Sequence, residues 1–268
     1  MPRLSKLFFL PAFLSVAAAF LAVEPGMGQV NKSTLTTTVP RLPALNAALA
    51  PGKKFEKDLV KKLVGMPEPV SSWVKIPASL ACTWKTDKMT QTSSRFEQSM
   101  EEDATPKVLK VKNTIVTLGS IRDARGDFWQ YNSPAVWMND TLCIETEFAL
   151  TPEGELHSQS RVVTFEINDK TNDITYCRQL INQRRFRMLS PGLMREEQTT
   201  KLYDWKGSPV MMIKCQSSYN RAREFDAATK TADGKPLYSL FVQFLKDHGM
   251  TDRIPDAQPA TPEKEGNQ

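Results

Sequence analysis

Histidine is almost missing from this sequence: His157 and His248 are the only two. A Ser-His-Asp or Cys-His catalytic set needs an imidazole beside its nucleophile. No serine here is flanked by the glycines of a nucleophile elbow either. His248 falls on the last turn of a predicted helix, where the dipole favours it without any further task. No catalytic residue is assigned on these grounds, and enzyme activity is not the reading favoured. The cysteines include no CxxC pair, which argues against a structural zinc site. The acidic run Glu101, Glu102 and Asp103 lacks the central glycine of a calcium loop. No metal and no cofactor is called for. A dominant charge is lacking too, with 35 basic against 30 acidic residues and a formal net charge of +5. Neither a strong single-sign field nor a recognisable basic module is present, so nucleic acid is not an expected partner.

The one long uncharged apolar run spans residues 7–23, preceded by Arg3 and Lys6 and followed by Gly26 and Gly28. Basic, apolar and small-residue regions in that order make residues 1–28 a secretory signal peptide, with the mature chain expected to begin near Gln29. Retention of the run as an uncleaved anchor is the alternative. The expected location is secreted or periplasmic. Four cysteines, Cys82, Cys143, Cys177 and Cys215, follow the leader. In an oxidising compartment they can form two disulfides of undetermined connectivity, or stand as small buried thiols.

Residues 29–52 are rich in Thr, Pro and Ala and read as a linker. Residues 53–66, from Lys53 to Met66, place Phe55, Leu59, Val60, Leu63 and Val64 at helical spacing among five lysines, and Pro67 ends the pattern. This basic amphipathic helix suits an anionic membrane surface, or caps a domain with a solvated lysine face.

From about residue 80 to residue 220 the period drops to two. Leu142, Ile144, Thr146 and Phe148 alternate with Cys143, Glu145 and Glu147; Leu109, Val111 and Ile115 alternate with Lys110, Lys112 and Thr114; Val163, Phe165 and Ile167 alternate with Thr164 and Glu166. With turn signals at residues 124–127, 152–154, 168–173 and 204–209, this predicts an antiparallel meander of about eight strands. Leu237, Leu240, Phe241, Phe244 and Leu245 then mark a second helix, opened by Pro236 and closed by Gly249. Residues 251–268 read as a disordered tail. Residues 53–250 are therefore expected to be one mainly β domain, a barrel or strongly bent sheet with a short helix before it and an amphipathic helix after it.

The first strand, Leu80-Ala81-Cys82-Thr83-Trp84-Lys85, resembles the opening strand of lipocalin-like, calycin-type secreted β-barrels. In that family a glycine stands two residues before the tryptophan; cysteine replaces it here. The resemblance implies a meander barrel followed by a helix, and an arginine packed over Trp84, a part open to Arg221 or Arg223.

Several surface features invite functional readings. Glu145 and Glu147 share a strand face about 7 Å apart, a spacing compatible with paired-acid chemistry and equally with a solvated strand face. Arg125-Gly126-Asp127 sits in a predicted turn, and sequons stand at Asn31 and Asn139. Arg178, Arg184, Arg185, Arg187 and Arg195, with Tyr176 and Phe186, form the densest guanidinium group in the chain. Gathered at a barrel mouth they suit a carboxylate, phosphate or lipid headgroup; spread on the surface they pair with Glu196 and Glu197. The functional expectation is an exported protein binding an apolar, lipid-like or amphiphilic small ligand. The alternative is an envelope-associated interaction or structural protein tethered by its N-terminal segment.

Overall fold

The computed structural model describes residues 42–64, 72–97, 99, 101–132, 134–138, 141–231 and 234–256. The leader, both sequon asparagines and residues 257–268 lie outside them. Among the described residues the fold is mainly β, with twelve strands and two α-helices.

Nine strands form the larger sheet: β2 (Thr83–Phe96), β3 (Glu101–Asp103), β4 (Lys107–Thr117), β7 (Pro134–Met138), β8 (Thr141–Leu150), β9 (Leu156–Ile167), β10 (Ile174–Ser190), β11 (Leu193–Asp204) and β12 (Pro209–Arg223). Their order is β3-β2-β12-β11-β10-β9-β8-β7, with β4 also on β2, and every pairing is antiparallel. The last strand therefore pairs with the first, as a closing meander does. The ring nevertheless stays open, because β4 pairs β2 and β7 pairs β8, and neither edge bonds the other. The expected barrel and the lipocalin-like resemblance are thus corrected. The physical reason lies in residues 118–132, which leave the ring to build a second sheet. In it β1 (Ser72–Ile76), β6 (Phe128–Asn132) and β5 (Ile121–Arg122) lie in the order β1-β6-β5.

This small sheet is the middle layer at one end of the molecule. Ile76 packs towards the large sheet with Trp84, Leu156, Phe186, Met194 and Tyr219, joined by Val74 and Phe128. The alternate residues Trp73, Trp129 and Tyr131 pack the other way, against Leu237, Phe241 and Leu245 of the C-terminal helix. Helix α1 is Lys57–Leu63 and α2 is Leu237–Asp247. At the end of α2, Gly249 at φ 67° allows Met250 N–H to reach Leu245 O at 2.8 Å and Gly249 N–H to reach Lys246 O at 3.1 Å. These two bonds close the helix with a Schellman motif.

Residues 42–55, predicted as linker and helix start, are a strap bonded to the hairpin turns of the large sheet. Leu42 and Leu45 N–H donate to Gly207 and Trp205 O, and Gly52 and Phe55 N–H donate to Ile174 and Asn172 O, at 2.7–3.0 Å. Leu45, Leu49, Phe55, Val60 and Val64 are buried against Leu142, Val163, Phe165, Ile174 and Cys177. Each such side chain contributes about 1.5–3 kcal/mol, enough to dock a segment whose Pro and Ala content reads as tether. The apolar side of α1 is thereby turned to the sheet. At the other terminus Arg253 Nη1 donates to Asp123 Oδ2 at 2.8 Å and to Asp127 Oδ2 at 2.7 Å.

Candidate functional site

Strand alternation sends neighbouring residues of β10 to opposite faces, which disperses the predicted arginine group. Arg184 points to the inner face, where it pairs with Glu196, and Tyr219 Oη donates to the same carboxylate at 2.7 Å. That pair is sealed, with side chains 5% and 1% exposed. Burial, reinforced by the Glu196 charge, pushes the Tyr219 phenol well above its usual range, so it stays a donor. Arg185 and Arg187 face the other way. Arg185 clasps Glu155 at 2.5 and 2.8 Å, and Arg187 pairs with Glu197 at 3.2 Å. The Arg185 hydrogen bonds hold the Glu155 carboxyl below the usual carboxylate range. Arg178 lies six residues along the strand from Arg184, about 20 Å away by strand rise. There it stands over the Tyr176 ring at 5.3 Å, with Glu166 3.9 Å away. The predicted cluster is three separate arrangements, and its charges are largely spent on neighbours.

The face that carries Arg185 holds a depression of about 650 Å³. Strap and α1 cover this face near the β9–β10 turn; the depression lies farther along β8 to β12. Registers decide its floor. Glu147 on β8 stands opposite Gln159 on β9, Gln159 opposite Gln183 on β10, Gln183 opposite Thr199 on β11, and Thr199 opposite Lys214 on β12. All five line the depression. The next row carries His157, Arg185, Glu197 and Gln216. Gln183 Nε2 donates to Gln159 Oε1 at 3.0 Å. Among the described residues Glu147 and Lys214 have no ion pair in this row. The floor is thus polar, with an acid at one margin, a cation at the other and amides between them. Ala149 supplies apolar surface at the β8 side.

Other sequence candidates resolve differently. The expected disulfides are corrected: the four cysteines form no disulfide, and all four are buried. Cys82 packs with Trp84, Cys177 with Phe165, Cys215 with Met89 and Cys143 with Val162, in four different apolar clusters. Burial pushes the Cys82 thiol up to about 11 and those of Cys177 and Cys215 to about 12, which suppresses thiolate chemistry. Arg221 lies over the Trp84 ring at 5.9 Å, while Trp84 Nε1 donates to Leu80 O at 2.9 Å. Arg223 ends β12, paired in register with Thr83. The Arg125-Gly126-Asp127 turn is engaged internally. Asp127 takes Lys75 and Arg253, and Arg125 takes Asp252. Of the paired acids, Glu147 lines the groove, and the Glu145 side chain lies outside the described residues. Among the described residues no group of three His, Cys, Asp or Glu can hold a metal ion, and no helix is long and apolar enough to cross a membrane.

Gln159, Gln183, Thr199 and Lys214 were not singled out by sequence. Each occupies a polar position of an alternating strand, as dozens of surface residues do. Only the pairing register places them in one row. No protein-family model, no curated protein and no solved structure matches the chain.

Proposed function

We propose that this chain is an exported binding protein that holds a small polar or amphiphilic ligand in the groove over β8 to β12. The observation that carries the reading is the depression itself. Its volume of about 650 Å³ falls in the range of roughly 300–1,000 Å³ common to small-molecule sites. Its floor presents the Glu147 carboxylate, the Lys214 ammonium and the amide groups that the Gln183–Gln159 hydrogen bond leaves open. Rigid strands hold these groups, and the strap closes one end of the same face. The exported location rests on residues 1–28 and belongs to the same reading.

Native mass spectrometry of the protein purified gently from the exported fraction tests it. A small-molecule adduct is expected on the protein, and it should be lost when Thr199→Trp fills the floor while the thermal melt is unchanged. A bare mass before substitution, or an adduct that persists after it, overturns the proposal. N-terminal sequencing of the same material should begin near Gln29; an intact Met1 overturns the cleavage.

A further inference from the structure

The groove's floor is not merely polar but ordered. Reading across the strands, its sequence is carboxylate, amide, amide, hydroxyl, ammonium: Glu147, Gln159, Gln183, Thr199, Lys214. Four inter-strand spacings separate the two charged ends, a path of about 19 Å along the sheet. From this juxtaposition we infer that the groove binds a short linear peptide with free termini. Its ammonium sits against Glu147, its carboxylate against Lys214, and its backbone crosses the strands over the glutamines. The inference rests on the binding role proposed above.

Length supports a peptide over a single amino acid. An extended chain covers about 3.3–3.6 Å per residue, so the charged ends of the row span about five or six residues. The amides support a peptide over a charged polyol. Gln183 Nε2 is already given to Gln159 Oε1 at 3.0 Å. That bond fixes both side chains and leaves a donor on Gln159 and an acceptor on Gln183, the complement of a peptide unit's own C=O and N–H. Opposite end charges disfavour a phosphate polymer or an anionic lipid surface, each of which would meet the Glu147 carboxylate. Arg185 is held by Glu155 and Arg187 by Glu197, whereas Lys214 stands at the end of the row itself, opposite Thr199. Two opposite charges at the two ends of the row also set the direction in which the peptide lies.

The test uses randomised pentapeptide pools with free termini, N-acetylated, or C-amidated, offered to the full chain. Retention after ultrafiltration is read by mass spectrometry. The free pool should be retained, and either block should cut retention about tenfold, the equivalent of one lost charged contact. Glu147→Gln should remove the penalty for acetylation alone, and Lys214→Gln the penalty for amidation alone. Both substitutions lie on exposed positions, and an unchanged melt checks that each variant is folded. Equal retention of free and blocked pools overturns the inference. So does a dipeptide pool retained as well as the pentapeptides, or a folded variant that keeps both penalties. Failure of every peptide pool, with a non-peptide adduct still lost on Thr199→Trp, sinks the peptide and leaves the binding role standing. Failure of the pools with no adduct at all sinks both.

Discussion

Two pairs of identical residues, adjacent in sequence, meet opposite fates on this sheet. Arg184 and Glu196 lie on the inner face, 5% and 1% exposed, with Tyr219 completing the cluster. Arg185 and Glu197, one residue along, lie on the groove face, 44% and 38% exposed and 3.9 Å apart. A strand's period of two is enough to separate them. Inside, two desolvated charges are tolerable only with full mutual satisfaction, so the pair dictates how β10, β11 and β12 align. Outside, water screens the charges and they contribute little to the fold, which leaves that face free to meet a ligand. Charge on one face specifies structure; on the other it is available for recognition.

The largest expected effect comes from breaking the inner pair. Glu196→Gln or Arg184→Met should each lower the unfolding free energy by about 3–5 kcal/mol, since the remaining partner is left buried and charged or short of hydrogen bonds. Glu197→Gln should stay within about 0.5 kcal/mol of the parent. Urea denaturation of the three variants reads the contrast. Replacing the whole cluster, with Arg184→Met, Glu196→Leu and Tyr219→Phe together, should recover much of the loss. Equal costs for Glu196→Gln and Glu197→Gln would erase the distinction between the faces.

That distinction was invisible in the sequence, although the alternation that produces it was not. Val163, Phe165 and Leu142 were legible as strand residues, and Leu237, Phe241 and Leu245 as a helix stripe, because burial imposes a period on neighbouring positions. Which face of β10 turns inward depends on β9 and β11, so Arg184 and Arg185 were indistinguishable. In β4 the phase even slips: Val111 and Thr114 are buried whereas Ile115 is half-buried, against the alternation read from the chain. Ring closure was unreadable because it turned on residues 118–132 leaving for a second sheet. The strap was missed because its anchors, Leu45 and Leu49, are few and set among prolines and alanines. The groove needed the register of five strands, information held in no single segment.

The two faces also differ in what shields them, and a glycine tests the shield on the groove side. Gly207 sits at φ 77° in the β11–β12 turn, and a Cβ there would come 1.9 Å from Leu42 O. Both backbone strain and a clash with main chain oppose Gly207→Ala, for an expected loss of about 1–3 kcal/mol. The strap should lift from this end. Cys177, buried beneath it with Leu45 and Leu49, should then be alkylated about tenfold faster. Cys215, which belongs to the inner-face cluster with Met89 and Ile213, should keep its parental rate. Timed labelling at pH 8 with peptide mapping measures both. Acceleration of both thiols alike would mean that the domain opens as a whole and that the faces are not separately covered.

The smallest effect belongs to the groove-face clasp of Arg185 on Glu155, and its pH dependence carries a definite sign. The Arg185 hydrogen bonds depress the Glu155 carboxyl in the folded protein, below an unfolded value near 4.3. Unfolding therefore takes up a proton in acid. The stabilisation is complete above the unfolded value and is lost as pH falls through the lower folded one. Because Arg185 is open to solvent, salt screens the interaction as well. Glu155→Gln should lower the melting temperature slightly at pH 7 in dilute buffer, by less than either change above. The gap between parent and variant should narrow progressively as pH falls below the unfolded value, and should close at pH 7 in about 1 M salt, where the screening length is about 3 Å. The inner pair should not respond to salt in this way, since ions do not enter its surroundings. A Glu155→Gln penalty that persists in both conditions would place this clasp with the structural charges, and would leave the groove face less free for a ligand than its exposure suggests.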